Sequence, residues 1–213
     1  MIQVKSFVFS PFQVNSYIIY DETKHAVIID AACYDKEEWL QLKTFIAENK
    51  IKAVRHIITH GHIDHLFGCN FIAEEYALYP EMHIADDFLL RGAVDFARMY
   101  GMECRQPVPP KSYIDINVPV CFGNNRLEFI HLPGHSPGSV VVYCSDGNVM
   151  FTGDVLFAGS IGRTDLPGGN YHQLIKGIKS LLLSFPSDTI IYPGHGTVST
   201  IGNEKTTNPF LQN

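Results

Sequence analysis

Short apolar runs and amphipathic helical patterns alternate along the chain, and this alternation predicts an α/β fold. In the first sixty residues, the apolar runs predict four strands, at residues 4–9, 16–20, 26–30 and 51–59. Between the third and fourth of these strands, apolar residues recur at helical spacing behind Asp35, a residue type that caps helices. A helix is therefore expected over residues 35–49.

The second half of the chain repeats this pattern. Its apolar runs predict strands at residues 127–132, 139–144, 149–152 and 189–192. An amphipathic segment behind Asn170 predicts a helix over residues 171–183. Two strand-rich halves, each with its own helices, predict two stacked mixed sheets with helices outside, which is a four-layer αββα sandwich of the α/β class.

The segment between the two halves has a more helical pattern. It predicts helices at residues 66–75 and 86–100, with a short strand at residues 82–85 between them. Gly92 weakens the second helix, and the proline-rich residues 107–110 end the region as an irregular loop. We interpret residues 86–110 as a helical lid or insertion within a single domain that spans residues 1–213.

The densest chemical signal is the run HGHIDH at residues 60–65, at the end of a predicted strand. Three imidazoles and a carboxylate this close together suit zinc, iron or manganese. Three later loops contribute His135, Asp154 and His195, each directly after a predicted strand and beside a glycine. Five histidines and two aspartates on four strand-end loops predict a metal centre.

Other polar residues near these loops have simpler interpretations. Five histidines lie outside the motifs and are predicted to be surface or packing residues: His25, His56, His83, His131 and His172. Asp30, at the end of the third predicted strand, has two interpretations, namely the orientation of a ligand imidazole or the capping of the strand end.

Composition narrows the class of protein. The net charge of −6, with no long basic run, argues against a nucleic-acid partner. The five cysteines are scattered and form no CxxC pair, which favours reduced thiols over a disulfide framework. The sequence contains no signal-peptide pattern and no apolar run of about 18 residues. We therefore expect a soluble cytoplasmic protein without a membrane partner, present as a monomer or a homodimer.

The motifs carry a family resemblance. The HxHxDH element, PGHSPGS at residues 133–139, TGDVLF at residues 152–157 and PGHG at residues 193–196 resemble the metallo-β-lactamase superfamily. The tracts at residues 159–169 and 200–209 resemble its short bacterial glyoxalase II-like hydrolases. The resemblance implies that His60, His62 and His135 bind one metal. It implies that Asp64, His65 and His195 bind a second metal, and that Asp154 bridges the two.

The resemblance also implies the chemistry. It implies two divalent metal ions, which are zinc by first choice and iron or manganese otherwise. These ions would hold a hydroxide that attacks an acyl carbon, and Asp64 and Asp154 would be the catalytic carboxylates. The likeness to glyoxalase II implies a small-molecule thioester, such as S-lactoylglutathione or another hydroxyacylglutathione. Its thiolate leaves readily and needs no strong general acid.

Substrate recognition and the reaction itself remain open at this point. Arg163 matches the position of a cation that contacts the glutathione carboxylate in the family, but it can also pair with Asp165. The C-terminal helical domain of full-length glyoxalase II enzymes is expected to be absent, which leaves recognition to residues 86–110, Arg163 or an oligomeric partner. The alternatives are a glutathione persulfide dioxygenase with one iron, a metallohydrolase for another ester or lactone, and a non-enzymatic metal-binding protein.

Overall fold

The strands and helices follow the predicted alternation in a computed structural model that describes residues 1–212. The strands are β1 (Gln3–Phe9), β2 (Val14–Tyr20), β3 (His25–Ile29), β4 (Lys52–Ile57), β5 (Pro80–Glu81), β6 (Val120–Phe122), β7 (Asn125–His131), β8 (Val140–Cys144), β9 (Val149–Gly153), β10 (Leu156–Phe157), β11 (Ser160–Ile161), β12 (Ile190–Pro193) and β13 (Ser199–Thr200). The helices are α1 (Lys36–Glu48), α2 (Ile63–Leu66), α3 (Cys69–Tyr76), α4 (Asp87–Arg91), α5 (Ala93–Met99), α6 (Tyr171–Leu181) and α7 (Ile201–Thr207).

Eleven of these strands form two mixed sheets. The first has the order β1-β2-β3-β4-β5, in which β3, β4 and β5 run parallel. The second has the order β13-β12-β9-β8-β7-β6, in which β9 and β12 are the parallel pair. Strands β10 and β11 form a separate two-stranded hairpin. Both sheets are therefore mixed, as the sequence predicts.

The apolar side chains separate into layers according to the alternation along each strand. Ile18 and Ile28 pack with α1 and α3 on the outer face of the first sheet. Their neighbours Ile19 and Val27 pack on the inner face against the second sheet. Helices α6 and α7 cover the outer face of the second sheet. This arrangement confirms the predicted four-layer αββα sandwich.

The middle segment differs from the prediction. The expected helix at residues 66–75 is two helices, α2 and α3, which are separated at Gly68; a Cβ there would lie 2.5 Å from the Ala31 carbonyl oxygen. The expected strand at residues 82–85 is wrong, because β5 ends at Glu81 and a 3-10 turn occupies Ile84–Asp86. The helix expected at residues 86–100 is divided into α4 and α5 at Gly92. Short elements like these depend on tertiary contacts, which the local pattern does not contain.

Within residues 1–212, no helix has both the length and the apolar character needed to cross a bilayer. That residues 86–110 act as a lid stays a prediction. Helices α4 and α5 pack through Leu90, Ala93 and Ala97 onto a cluster that includes Ile63 of α2. This contact places the segment against Ile63, within the HGHIDH run.

One buried histidine lies outside all of the motifs. His56 of β4 is fully buried, and neither of its ring nitrogens has a hydrogen-bond partner among the described residues. Burial lowers the pKa of His56 to about 3, because the charged ring loses its hydration. The prediction of a packing role agrees with this position, but the unpaired nitrogens make the residue a source of instability.

We expect His56→Leu to raise the free energy of unfolding by about 1–3 kcal/mol at pH 7, since it removes unpaired buried polar atoms. In the wild type, protonation of His56 costs no stability above the unfolded-state pKa of about 6.5. As the pH falls from there towards the folded-state pKa, the unfolded chain binds a proton that the folded protein does not, and the free energy of unfolding falls. The advantage of the variant should therefore widen below pH 6.5 by about 1.4 kcal/mol per pH unit. Urea unfolding at several pH values measures this, with the exposed His172→Leu as control; a constant difference between His56→Leu and wild type would contradict it.

Candidate metal centre

The candidate ligands all lie at one edge of the sandwich, in loops that follow strand ends. The HGHIDH run follows β4, His135 follows β7, Asp154 follows β9 and His195 follows β12. Because β3 and β4 are parallel, as are β9 and β12, the carboxyl ends within each pair meet at the same edge of their sheet. Residues separated by up to 135 positions in the sequence are thereby brought together.

Strand β2 joins the two sheets at this edge. The Asn15 backbone N–H donates to the Gly194 carbonyl at 2.7 Å, and its side-chain amide donates to the Pro193 carbonyl at 3.0 Å. The Tyr17 hydroxyl donates to the same Pro193 carbonyl at 2.6 Å. The loop that carries His195 is thus held against the first sheet, next to the HGHIDH run.

Three histidines form the first part of the cluster. His62 Nδ1 lies 2.8 Å from His135 Nε2, and His135 Nε2 lies 3.1 Å from His60 Nε2. His60 and His135 are almost completely buried, and His62 borders a cavity. Their facing nitrogens lie close enough together to share one ion.

The second part contains Asp64, His65 and His195, with Asp154 between the two parts. His195 Nε2 lies 3.4 Å from Asp64 Oδ2, and His65 Nε2 lies 3.8 Å from the same oxygen. Asp154 Oδ2 lies 3.5 Å from His195 Nε2 and 3.6 Å from His135 Nε2. The Asp154 carboxylate therefore faces both parts at once.

Hydrogen bonds behind the rings decide which nitrogen faces the cluster. His135 Nδ1 lies 2.7 Å from the Arg163 carbonyl oxygen, which only accepts, so Nδ1 carries the proton and Nε2 presents a lone pair. His60 Nδ1 lies 3.2 Å from Thr59 Oγ1, whose own proton goes to Asp30. His60 Nδ1 therefore donates as well, and its Nε2 is bare.

Asp30 orients the third ring. Its carboxylate accepts hydrogen bonds from the Thr59 backbone N–H and hydroxyl, both at 2.7 Å, and lies 3.0 Å from His65 Nδ1. The side chain is 2% exposed and stands directly after β3. Of the two interpretations of Asp30, the structure shows the orientation of an imidazole, since Nδ1 of His65 donates outward and Nε2 turns to the cluster.

Charge within the cluster shifts several pKa values. Burial lowers the pKa of His62 to about 4, with repulsion from His135 adding to the effect. Burial also opposes the charged form of His65, but the carboxylates of Asp30, Asp154 and Asp64 outweigh it and raise its pKa well above the ordinary value. Burial would raise the pKa of Asp154, yet His65 and His195 hold it well below the usual range. A cation entering the cluster would displace the histidine proton.

The donor set fits a pair of metal ions. His65 Nε2 and Asp154 Oδ1 are buried and have no hydrogen-bond partner within residues 1–212. Bare imidazole nitrogens about 3 Å apart repel each other unless a cation lies between them. Imidazole and carboxylate donors around a shared aspartate suit a dinuclear site. The structure thus brings together all seven predicted ligand side chains, and the role of each one as a ligand stays a prediction.

Glycines allow the backbone to approach the cluster. Gly153 precedes Asp154 with a positive φ of +48°, the left-handed conformation that glycine adopts at little cost. Gly194 has a different role, because its φ is not positive. Its backbone lies so close to Asp154 that a Cβ would be 2.1 Å from Asp154 Oδ1. The loop before His195 therefore has no room for a side chain at this position.

Sequence reasoning missed Asp86 as part of this site. The side chain is fully buried and accepts hydrogen bonds from Gly61 N–H at 2.8 Å, Ser136 hydroxyl at 2.6 Å and Gly138 N–H at 2.6 Å. One carboxylate therefore ties together the loops that carry His60, His62 and His135. In the sequence, an aspartate at the start of a helical pattern is equally typical of a cap, so the signal was ambiguous.

A cavity of about 260 Å³ opens beside the cluster, and His62, Asp64, Asp154 and His195 contribute to its lining. Arg163 also lines it and pairs with Asp165 through two hydrogen bonds of 2.8 Å. Both partners are exposed, so the pair contributes little to stability. The two interpretations of Arg163 are therefore compatible: the ion pair exists, and the side chain also lines the cavity beside the cluster, while its contact with a substrate stays a prediction.

Comparisons with known proteins agree with this geometry. A sequence model of the metallo-beta-lactamase superfamily matches residues 9–195. The hydroxyacylglutathione hydrolase GloC of Haemophilus influenzae is 35% identical over 202 residues, which are 94% of this chain and 93% of that protein.

Two solved structures are similar over almost their full length. The BLEG-1 B3 metallo-beta-lactamase superposes with a TM-score of 0.91 at 32% identity, covering 99% of this chain and 100% of its own. TTHA1623, in a di-iron-bound form, superposes with a TM-score of 0.87 at 34% identity, covering 97% of this chain and 100% of its own. The fold is thus shared with a metallo-beta-lactamase and with a protein solved in a di-iron-bound form.

Proposed function

The chain belongs to the metallo-beta-lactamase superfamily, and we propose that it is a metal-dependent hydrolase of thioesters. The observation that carries this proposal is the convergence of seven histidine and aspartate side chains beside a cavity. The similarity to a hydroxyacylglutathione hydrolase over 94% of the chain supports a glutathione thioester, such as S-lactoylglutathione, as the substrate class. Zinc is the proposed metal, and the di-iron form of TTHA1623 makes iron the alternative.

Bound metal ions would lower the pKa of a water molecule towards neutrality and polarise the substrate carbonyl. The residues of the chain would hold that chemistry in place. The Arg163 carbonyl and Asp30 fix the imidazoles of His135 and His65. Asp64, whose side chain is 15% exposed and borders the cavity, would accept a hydrogen bond from the attacking water.

A thioester matches the groups that line the cavity. A thiolate leaves without protonation, so the reaction needs no strong general acid from the protein. Among the described residues that line the cavity, Arg163 is the one cation other than the histidines. Asp165 engages its Nε and Nη2 atoms, so Nη1 remains to donate to a carboxylate of the thiol part of the substrate.

The proposal is tested with protein stripped of metal and then reloaded with zinc or iron. We expect the reloaded protein to hydrolyse S-lactoylglutathione with a higher kcat/KM than a matched oxoester or a β-lactam, and the stripped protein to be inactive. Free thiol and oxygen consumption are recorded in parallel. The hydrolase proposal is overturned in favour of a dioxygenase if the protein holds one iron per chain, consumes oxygen with glutathione persulfide and hydrolyses no thioester.

Arg163→Ala is expected to raise KM for S-lactoylglutathione about tenfold with little change in kcat, because it removes binding that the ground state and the transition state share. Tenfold corresponds to about 1.4 kcal/mol, the size of one charge-assisted hydrogen bond that is partly exposed. A thioester of N-acetylcysteamine, which lacks the carboxylates, should show no such increase. Arg126→Ala, which breaks an exposed pair with Glu128, is the matched control. An equal KM in Arg163→Ala and wild type would show that Arg163 pairs with Asp165 but does not bind the substrate.

A further inference from the structure

One wall of the cavity is apolar. Six side chains from the β1–β2 loop, α2, α4 and the end of α5 form what we call the apolar wall: Phe12, Ile63, Leu89, Phe96, Met99 and Tyr100. The rings of Phe12 and Tyr100 meet edge to face, with centroids 5.5 Å apart. The metal cluster lines the same cavity, so the wall is within reach of a group joined to a carbonyl held at the cluster.

Much of the apolar wall is open to solvent. Met99 is 78% exposed and Tyr100 is 48% exposed, whereas Ile63 and Leu89 behind them are buried. Water against this surface is unfavourable, and an apolar part of a ligand that covered it would gain binding energy. The exposed methionine is also a flexible side chain, which adapts to apolar groups of different shapes.

The wall offers little to a polar acyl group. Apart from the cluster itself, the polar side chains that line the cavity within residues 1–212 are Tyr100 and Arg163. Arg163 is already held by both oxygens of Asp165. A hydroxyl group placed against Phe12, Leu89 or Met99 would lose its hydration without a hydrogen-bond partner.

We propose that the apolar wall binds the acyl group of the thioester and that the preferred acyl group is apolar, of the size of hexanoyl or phenylacetyl. This inference rests on the proposed thioester hydrolysis and changes the preferred acyl class from hydroxyacyl to apolar acyl. The reaction keeps its balance: the oxygen of water joins the acyl carbon, the carbon–sulfur bond breaks, and a carboxylate, a thiol and one proton are released.

The first test is a series of glutathione thioesters with acetyl, butanoyl and hexanoyl groups, together with lactoyl. A fully buried methylene group is worth about fourfold in binding, and the partly open wall should give about twofold for each. We therefore expect kcat/KM to rise about tenfold or more from acetyl to hexanoyl, with lactoyl well below hexanoyl. A flat or falling series, in protein that does hydrolyse thioesters, overturns the inference and leaves the proposed function standing.

A matched pair of variants tests the wall itself. Met99→Gln keeps the length of the side chain but makes it polar, and we expect it to lower the hexanoyl-to-acetyl ratio of kcat/KM about threefold. Ile84→Gln makes the same kind of change at a 58% exposed residue that does not line the cavity, and the ratio should stay at the wild-type value. Equal ratios in Met99→Gln and Ile84→Gln would overturn the assignment of the wall.

A binding measurement separates the two proposals when turnover fails. S-hexylglutathione and S-methylglutathione carry no cleavable bond, so calorimetry with metal-loaded protein reports the wall alone. We expect S-hexylglutathione to bind about tenfold more tightly, and Met99→Gln to reduce that difference. Tight binding without hydrolysis of any thioester would overturn the proposed function only, whereas equal binding of the two ligands would overturn the inference.

Discussion

Asp154→Asn is expected to reduce kcat/KM for thioester hydrolysis by about a thousandfold or more, which corresponds to about 4 kcal/mol of lost transition-state stabilisation. Asp154 Oδ2 lies 3.5 Å from His195 Nε2 and 3.6 Å from His135 Nε2, so this carboxylate faces both parts of the cluster. An amide keeps the shape but removes the charge that would balance two cations. Steady-state kinetics and metal analysis of the same preparation measure the effect, and we expect less than two metal ions per chain.

Asp21→Asn is the matched control for this variant. Asp21 is fully buried and accepts hydrogen bonds from Thr23, Asn124 and Asn125, but it stands at the opposite end of β2 from the cluster. We expect Asp21→Asn to lower stability while metal content and kcat/KM stay near wild type. Full turnover by Asp154→Asn with an unchanged metal content would contradict the assignment of Asp154.

Asp30→Asn is expected to weaken metal binding about 10- to 100-fold, the usual effect of losing the partner that orients a ligand imidazole. Asp30 accepts from the Thr59 N–H, the Thr59 hydroxyl and His65 Nδ1. An amide has one oxygen in place of two, so at least one of these donors would face an NH₂ group. His65 would then favour the tautomer with the proton on Nε2, the atom that faces the cluster.

Competition with a chelator of known zinc affinity measures the effect of Asp30→Asn, again beside Asp21→Asn. Nitrogen NMR of the metal-free proteins supplies a readout that a general loss of stability would not change, namely a lower pKa of His65 in Asp30→Asn than in wild type, because the Asp30 carboxylate helps to raise that pKa. Wild-type zinc affinity in Asp30→Asn would show that the hydrogen bond to His65 has no influence on metal binding.

The sandwich was predictable because its strands are long enough for their apolar pattern to be read. The strand over Val14–Tyr20 contains a β-rich run, and the helix over Lys36–Glu48 has apolar residues at helical spacing behind Asp35, which caps it through the Glu37 and Glu38 N–H groups. The middle segment was predicted less well, because its short elements are determined by contacts from elsewhere. Gly92 divides one helix, and Asp86 leaves the helical pattern to bind two distant loops.

The candidate ligands were also predictable, since their motifs lie in loops beside glycines. The groups that hold those ligands were not. His135 is oriented by the Arg163 backbone carbonyl, which has no signature in the sequence. Gly194 is required by the approach of Asp154, a residue 40 positions earlier, and the local pattern cannot contain that contact. Support of this kind becomes visible only when the loops are brought together.

The seven side chains at the cluster are proposed to hold two metal ions that support thioester hydrolysis. The decisive measurement is titration of metal-stripped protein with zinc, with bound metal and S-lactoylglutathione hydrolysis recorded at each step. We expect binding to saturate at two ions per chain and activity to reach its maximum as the second ion binds. Saturation at one ion with full thioester hydrolysis, or saturation at two ions without any, would contradict the proposal.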